Sequence, residues 1–498
     1  MPLRTFALSL FTVAAATLAF ATTPVVTVSS PGNGASVGSP VNYVASASST
    51  ACAKGIAAMR IYTAPGVGAY TVNANSLNAN INLPVGSYNT VVQAWDNCGG
   101  VGKTAVNITV SKINLAPPKF LYGTEFQAGR IAEYVVNPLT GSLTPTAQGS
   151  TWAHWGPVDI ASDQGGFRLY VVNDGSHDLD AYFIYRNSGD IFQVPGSPFP
   201  LPGTAGNRVV VHPSGHFVYA TSSSTGNTEI NAFAVQSNGS LSTVPGSPFA
   251  EASESTGALA MNPSGKYLFA AVNAPGSVGA VAVYAIDEVN GALTPIPGSP
   301  FPVPTYSGCT QFCTPQPTDL QVDSTGTFLY GAQAAQDSIV GFKIGSTTGT
   351  LTNLPGSPYP EGTFNTSNTP TDPLRLNVNP NGKFIYTADD EGNSLSVWAI
   401  NKSTGTLAFQ ASLQPCSDPN VPGILVPYTV AVDPSGSFVY TEGDQTNGCN
   451  IPPGATGVMA GFSINQGNGL LFSVPGNPFV NSSLHTTIKS EESVVVTP

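Results

Sequence analysis

A short stretch that recurs along the chain restricts its fold more than any other feature. The clearest copy is Val430–Thr441, in which two apolar runs flank Asp433-Pro434-Ser435-Gly436. Alternating apolar residues on both sides of a turn predict a β-hairpin, because the Asp side chain accepts backbone hydrogen bonds and Gly adopts positive φ. Further copies are Val209–Tyr219, Leu259–Phe269, Leu320–Tyr330 and Leu376–Tyr386, with a looser one at Val158–Tyr170.

A second unit follows each hairpin and gives the repeat its length. In the clearest case Leu395–Ile400 leads into the turn Thr404-Gly405-Thr406-Leu407. One aromatic residue of each hairpin marks the period: Tyr122, Tyr170, Tyr219, Phe269, Tyr330, Tyr386 and Tyr440. A four-stranded unit repeated every ~50 residues is typical of a β-propeller blade. The sequence therefore predicts a seven-bladed β-propeller.

The two ends of the repeat predict how the propeller closes. The repeat begins at a second strand, Phe120–Tyr122, so blade 1 lacks its first strand. A degenerate copy at Thr486–Val496 ends the chain. We expect Thr486–Lys489 to supply the missing strand, because closure removes free sheet edges. Val494–Val496 then looks like a surplus second strand without a place.

The N-terminus reads as a secretory signal at residues 1–21. Arg4 precedes the apolar run Phe6–Phe20, and Ala19-Phe20-Ala21 fits a small-x-small cleavage site. A membrane anchor is the alternative, but the run is shorter than the ~20 residues that span a bilayer. We therefore expect a secreted or periplasmic protein whose mature chain has no membrane span.

Residues 22–112 lack the propeller repeat and predict a second kind of β-domain. Alternating segments separated by turn residues predict a β-sandwich. The segments are Val25–Ser29, Val41–Ala47, Ala58–Tyr62, Tyr70–Asn73, Ala79–Leu83, Asn89–Trp95 and Thr104–Val110. The stretch Val91–Gly100, with Cys52 as a partner for Cys98, resembles bacterial immunoglobulin-like domains. Residues 113–118 form a stiff linker, and the propeller occupies 119–498.

Composition and missing motifs exclude several classes of function. Only 9% of residues are charged, the net charge is −12, and the 16 basic residues are scattered, so nucleic acid is not an expected partner. The sequence contains no phosphate loop and no Cys-x-x-Cys pair. We interpret His212 and His216 as turn residues and Asp389–Glu391 as a solvated loop. We expect a monomer without cofactor or metal.

The repeated motifs carry a resemblance to a known family. The Asx-Pro-Ser-Gly-x-Phe-Val-Tyr hairpins and the Thr-Gly-x-Leu turns, at Thr140–Leu143, Thr348–Leu351 and Thr404–Leu407, resemble the lactonase family of seven-bladed β-propellers. This family includes propeller-type 6-phosphogluconolactonases and muconate-lactonizing relatives. The resemblance implies hydrolysis of a lactone or related sugar-acid ester. Its motifs are structural, so they assign no catalytic residue.

Strand direction predicts which face of the propeller is functional. The hairpin turns and Thr-Gly turns share one face, here called the turn face. The loops between second and third strands and between blades share the other, the loop face. Because the loop-face connections are long and irregular, we expect the site there, at the mouth of the central channel. The alternative is a non-catalytic extracellular protein that recognises a glycan or protein.

Lactone hydrolysis needs a base that activates water and a positive group that holds the oxyanion. The candidate catalytic residues are His154, Arg208, Arg375, Asp389 and His485. The candidate substrate-binding residues are Trp152, Trp155 and Tyr428. We expect at least three of the catalytic candidates to line one polar pocket. The alternative is that all are ordinary polar residues around a wet channel.

The six cysteines of an exported chain predict disulfide bonds. From their location we expect the pairs Cys52–Cys98, Cys309–Cys313 and Cys416–Cys449. Peptide mapping under non-reducing conditions should recover all three cross-linked peptides. Free thiols at every position would contradict both the pairing and the export of the protein.

Overall fold

The structure is a computed structural model that divides into two compact units, on either side of a boundary between residues 114 and 115. It describes residues 23–37, 41–81, 83, 86–110, 119–203, 205–224, 227–250, 257–274, 278–306, 315–361, 373–390, 392–413, 426–444, 458–479 and 493–498. Within these ranges no helix has both the length and the apolar character needed to cross a membrane.

The first unit consists of two β-sheets around one apolar core. Its described strands are β1 (Val25–Ser30), β2 (Ala35–Val37), β3 (Val41–Ser48), β4 (Ile56–Ala64), β5 (Val67–Val72), β6 (Ser76–Ile81), β7 (Gly86–Asp96) and β8 (Val101–Val110). The sheet orders are β1-β3-β6 and β2-β8-β7-β4-β5. Tyr43, Met59 and Val92 are among the fully buried core residues. The immunoglobulin-like relationship of this unit stays a prediction.

Two details of this unit bear on the sequence-based expectations. The predicted strands are all present in outline, but β2 was not predicted, because a three-residue strand after a turn has too little periodicity to detect. The predicted Cys52–Cys98 disulfide is confirmed, with the Cα atoms 5.8 Å apart. Both cysteines lie outside the strands, so the bond ties two loops. The other four cysteines lie outside the described residues.

The second unit is a ring of antiparallel blades. Blade 1 contains β9 (Phe120–Glu125), β10 (Arg130–Val136) and β11 (Leu143–Trp152). Blade 2 contains β12 (Pro157–Ser162), β13 (Arg168–Asn173), β14 (Asp178–Ile184), β15 (Ile191–Gln193) and β16 (Phe199–Pro200). Blade 3 contains β17 (Ala205–Val211), β18 (Phe217–Ser224), β19 (Asn227–Val235), β20 (Leu241–Thr243) and β21 (Phe249–Ala250).

The next two blades repeat this plan, which matches the sequence repeat. Blade 4 contains β22 (Leu259–Met261), β23 (Tyr267–Ala274), β24 (Val278–Ile286), β25 (Leu293–Pro295) and β26 (Phe301–Pro302). Blade 5 contains β27 (Asp319–Val322), β28 (Phe328–Gln333), the 3-10 helix η1 (Ala334–Gln336), β29 (Ser338–Ile344), β30 (Leu351–Asn353) and β31 (Tyr359–Pro360).

The last two blades lead to the ring closure. Blade 6 contains β32 (Pro373–Val378), β33 (Phe384–Asp389), β34 (Ser394–Ile400) and β35 (Leu407–Leu413). Blade 7 contains β36 (Val426–Pro427), β37 (Ala431–Val432), β38 (Phe438–Asp444), β39 (Val458–Ile464) and β40 (Leu471–Ser473). The final strand is β41 (Val494–Thr497).

The C-terminal strand closes the ring, but it is not the segment expected from the sequence. β41 pairs antiparallel with β9, with Val494 opposite Gly123 and Thr497 opposite Phe120. Val494–Val496 is therefore the innermost strand of blade 1 and not a surplus second strand. Val494 and Val496 are buried in the core shared by blades 7 and 1, which Thr486–Lys489, with its lysine, could not fill as well. Thr486–Lys489 lies outside the described residues.

The two repeated motifs are joined by the same tyrosine hydrogen bond at five of the blade boundaries. Tyr440 of blade 7 donates a hydrogen bond of 2.8 Å to the carbonyl oxygen of Gly141 in the Thr-Gly turn of blade 1. The Phe438 ring lies against the same glycine, so that a Cβ on Gly141 would meet it at 2.4 Å. Equivalent bonds join Tyr122 to Gly189, Tyr219 to Gly291, Tyr330 to Gly405 and Tyr386 to Gly469.

Removal of the hydroxyl at the ring closure should destabilise the propeller. Tyr440→Phe leaves a buried carbonyl without its donor, so we expect a loss of about 1–2 kcal/mol in the free energy of unfolding. Tyr170→Phe is the matched control, because the buried Tyr170 hydroxyl has no hydrogen-bond partner within the described part of the chain. Urea unfolding measures both variants. Equal stability of Tyr440→Phe and the wild type would show that this bond contributes nothing to closure.

Candidate functional site

The innermost strands of the seven blades surround a central cavity of about 310 Å³. Residues from every blade line it, among them Ser493 and Val495 of the closing C-terminal segment. Its most polar part combines residues of blades 2, 3, 5 and 6: Asp159, Arg208, Asp319 and Arg375. We call these four residues the charged cluster.

The register of the repeat explains why these side chains share one level of the channel. In each blade the hairpin aromatic is paired with an innermost-strand residue, such as Ala161 with Tyr170 and Asn377 with Tyr386. The charged-cluster residue lies two positions before that partner. The same position is occupied by Ala258 in blade 4, Thr429 in blade 7 and Ser493 in blade 1. At this position the residues are therefore charged in two pairs of adjacent blades, blades 2 and 3 and blades 5 and 6.

Each carboxylate of the charged cluster is held by the next blade. Asp159 Oδ2 accepts a hydrogen bond of 2.8 Å from the Val209 backbone N–H. Asp319 Oδ2 accepts one of 3.0 Å from the Leu376 backbone N–H. In each carboxylate, one oxygen accepts the backbone hydrogen bond that fixes its orientation. The second oxygen takes no part in this hydrogen bond.

The two arginines reach across the channel. Arg375 Nη1 lies 3.6 Å from Asp159 Oδ1, whereas Arg208 Nη2 donates to the Thr318 carbonyl oxygen at 3.4 Å. Arg375 is only 7% exposed, and its Nη2 is buried and has no hydrogen-bond partner in the ranges that the structure describes. An unpaired buried guanidinium N–H is costly, so this nitrogen is a candidate ligand contact.

Burial raises the pKa of the Asp319 carboxyl, while the positive charges of Arg375 and Arg208 oppose this effect. Asp319 Oδ1 has no hydrogen-bond partner among the described residues. A carboxylate with raised basicity and an unused oxygen can accept a proton from a water molecule. Next to it, Arg375 can stabilise a developing negative charge.

The structure brings together two of the five catalytic candidates, Arg208 and Arg375. Asp389 is fully buried at the end of β33 and accepts hydrogen bonds from Ser394 and Ser396, at 2.9 and 2.6 Å. It does not line the cavity. His485 lies outside the described residues. Tyr428, a substrate-binding candidate, lies between β36 and β37 and is not a lining residue either.

Trp152 is the last residue of β11, and His154 and Trp155 lie in the connection from blade 1 to blade 2. None of the three lines the cavity. His154 Nδ1 is 3.1 Å from Asp180 Oδ1. His154, Asp178 and Asp180 are close enough together to hold a metal ion. However, both oxygens of Asp180 already accept hydrogen bonds, from Asn173, Gln193, Ser197 and the His154 backbone N–H. This saturation indicates an orienting role for Asp180.

Sequence reasoning did not include Asp159 and Asp319 among the catalytic candidates. A signal was present, because Asp159 precedes Asp163 by the same interval that separates Arg375 from Asn379 and Asp319 from Asp323. The hairpin of blade 2 has no Pro-Ser-Gly turn, which hides the alignment. The sequence alignment of the hairpins already places Asp319 with Arg208 and Arg375, and extending it to blade 2 would have added Asp159.

Two pairs of buried acidic residues lie at blade boundaries outside the charged cluster. Glu125 of blade 1 and Glu442 of blade 7 are 3% and 2% exposed, and they hydrogen-bond each other. Burial raises the pKa of Glu125 to about 7. Burial likewise raises the pKa of Asp389 well above its usual range, and the nearby charge of Glu361 adds to the effect.

The closed ring of blades and its charged cavity define the second unit as a seven-bladed β-propeller. Residues 281–422 match the family model described as Lactonase, 7-bladed beta-propeller. The fold and this match are consistent with the resemblance seen in the sequence, and the match covers part of the second unit. A comparison with curated proteins finds no match.

Solved structures share the propeller fold. A candidate 6-phosphogluconolactonase from Bacteroides uniformis is 17% identical, with a TM-score of 0.56 over 76% of this chain and 100% of its own. One from Bacteroides fragilis is 15% identical, with a TM-score of 0.56 over 78% and 100%. The periplasmic gluconolactonase PpgL of Pseudomonas aeruginosa is 16% identical, with a TM-score of 0.56 over 76% and 99%. Such identities show the fold alone.

The Glu125–Glu442 pair should make stability fall as pH rises. An unfolded glutamate loses its proton near pH 4.3, whereas the folded pair keeps one until about pH 7. The folded state then binds more protons, so the free energy of unfolding decreases between these values. The double variant Glu125→Gln/Glu442→Gln should show a smaller decrease, measured by urea unfolding from pH 4.5 to 8.

Burial also raises the pKa of Glu133 to about 7. Glu133 is present in the wild type and in the double variant, so its contribution cancels in the comparison. The difference between the pH dependences of the two proteins therefore reports the Glu125–Glu442 pair. Glu229→Gln is the matched control, because Glu229 lies on β19 of blade 3, away from the pair. It should keep the wild-type pH dependence. The same pH dependence in the double variant would contradict the assignment of a retained proton to this pair.

Proposed function

We propose that the propeller hydrolyses a lactone or a related sugar-acid ester in its central cavity. The observation that carries this proposal is the charged cluster, in which Asp319 Oδ1 and the buried Arg375 Nη2 have no partner among the described residues. A basic carboxylate oxygen and an N–H donor that line the same cavity supply the two groups that hydrolysis of an ester needs. The lactonase-type fold supports the same reaction class.

In the proposed reaction the carboxylate of Asp319 accepts a proton from a water molecule. The water oxygen forms a bond to the carbonyl carbon of the lactone, and the carbonyl oxygen becomes an oxyanion. The Arg375 guanidinium stabilises this charge by a hydrogen bond from Nη2. When the intermediate collapses, the ring C–O bond breaks, and the leaving alkoxide takes the proton from Asp319. The product is the open-chain hydroxy acid.

The environment of Asp319 suits this role. Burial raises its pKa, which increases its affinity for the proton of the attacking water. Arg375 and Arg208 keep the carboxylate form accessible by opposing that rise. Asp159, whose Oδ1 faces Arg375 at 3.6 Å, orients the guanidinium. Asp159 is therefore a positioning residue, and Asp319 and Arg375 are the catalytic residues of the proposal.

The charge balance of the cavity favours a substrate without phosphate. Two carboxylates and two guanidinium groups leave the charged cluster with no net charge, which is a poor environment for a phosphate dianion. Export, which is part of the proposal, points the same way, because phosphosugars are rare outside the cytoplasm. The Cys52–Cys98 disulfide supports export to an oxidising compartment.

Substitutions in the charged cluster test the proposal. Asp319→Asn and Arg375→Ala should each lower kcat for glucono-δ-lactone by about 10²-fold or more, with a nearly unchanged melting temperature for the isosteric Asp319→Asn. Arg168→Ala is the matched control, since Arg168 faces Asp163 at the turn face and not the cavity. Turnover is measured as acid release at constant pH against a panel of lactones.

His154→Ala should keep the wild-type kcat, because His154 does not line the cavity. A loss of turnover in His154→Ala together with full activity of Asp319→Asn would move the reaction to the blade 1–blade 2 connection. Absence of hydrolysis over the whole lactone panel would overturn the proposed function.

A further inference from the structure

Two exposed tryptophans flank a histidine on the loop face, at the connection between blades 1 and 2. Trp152 is 65% exposed and Trp155 is 59% exposed. In contrast, Trp398 is 1% exposed within the core. We call Trp152, His154 and Trp155 the indole platform. Exposed indoles are costly to keep in water and mark binding surfaces more often than chance.

Both indoles of the platform are backed by rigid parts of the protein. The Arg130 guanidinium carbon lies 3.9 Å from the centre of the Trp152 ring, and Arg130 Nη1 is fixed by a 2.8 Å hydrogen bond to Ser150 Oγ. Trp155 lies directly against the Gly175 backbone, where a Cβ would meet its Cδ1 at 1.8 Å. Support on one side pre-organises the indoles and lowers the entropic cost of binding a ligand.

The histidine between the indoles is a fixed polar group. His154 Nδ1 contacts Asp180 Oδ1 at 3.1 Å, and its backbone N–H donates to Asp180 Oδ2 at 3.0 Å. Asn173 holds the same carboxylate at 3.0 Å. The ring is 39% exposed, and its Nε2 has no hydrogen-bond partner among the described residues. This nitrogen is available to a ligand on the platform.

We propose that the indole platform binds the sugar rings of a neutral carbohydrate. A pyranose ring has apolar C–H faces that pack on aromatic rings and hydroxyl groups at its edge that suit a fixed imidazole nitrogen. The two carboxylates behind His154, Asp178 and Asp180, disfavour an acidic sugar. Two indoles alone are too small an apolar area for a stable protein interface. Carbohydrate is therefore the occupant that fits the chemistry.

The platform is separate from the proposed hydrolytic site, because none of its residues lines the central cavity. The proposal therefore does not depend on lactone hydrolysis. Binding at the indole platform would give the propeller unit a second function, attachment to a polysaccharide.

Isothermal titration calorimetry of the full chain with maltohexaose, cellohexaose and xylohexaose tests the proposal. We expect binding of at least one hexasaccharide. Trp152→Ala and Trp155→Ala should each weaken this binding by at least about tenfold. In the unmodified protein, the same sugar should shift or quench the tryptophan fluorescence, a readout that does not depend on the folding of any variant.

Phe472→Ala is the matched control, because Phe472 is 54% exposed on β40 of blade 7, outside the platform. It should bind like the wild type, and so should Arg375→Ala, which separates the platform from the charged cluster. No heat and no fluorescence change with any of the three hexasaccharides would overturn the proposal. Wild-type affinity in both tryptophan variants would also overturn it.

Discussion

The propeller depends on one contact, repeated around the ring, between the hairpin of one blade and the Thr-Gly turn of the next. The turn glycine has positive φ, as at Gly141 and Gly405, which other residues adopt only with strain. It must also accept the aromatic ring of the preceding blade at a distance that excludes a side chain. The tyrosine hydroxyl then satisfies the carbonyl of the same turn. One small residue thus meets a conformational, a steric and a hydrogen-bonding requirement together.

This contact determines what the centre of the ring can do. Because each blade is fixed to the next at the turn face, the innermost strands keep a common register, and one position per blade faces the channel at the same depth. The residues at that position in blades 2, 3, 5 and 6 bring two carboxylates and two guanidinium groups together in the cavity. Their mutual attraction offsets part of the cost of burying each charge.

The polar groups near the loop face have different structural roles, although the sequence shows them as one scattered set. Asp389 and the Glu125–Glu442 pair are enclosed between strands, where burial favours their protonated forms. His154 is anchored by Asp180 and stays open to solvent. Burial thus separates groups that stabilise the blades from groups that can meet a ligand, and linear order along the chain does not carry that distinction.

The number of blades, the hairpins, the closure by the C-terminus and the Cys52–Cys98 bond could all be predicted from the sequence, because each depends on local patterns or on counting repeats. The identity of the closing strand could not, since Val494–Val496 became the inner strand of blade 1 through pairing with a segment at the other end of the repeat. The position of Asp319 could be predicted, because it shares its place in the repeat with Arg208 and Arg375. Asp159 was missed, and the contact that it makes with Arg375 across the channel appears only in the closed ring. The sequence by itself determined the repeating unit, whereas only ring closure decided which side chains meet, because contacts between distant blades depend on the curvature of the whole ring.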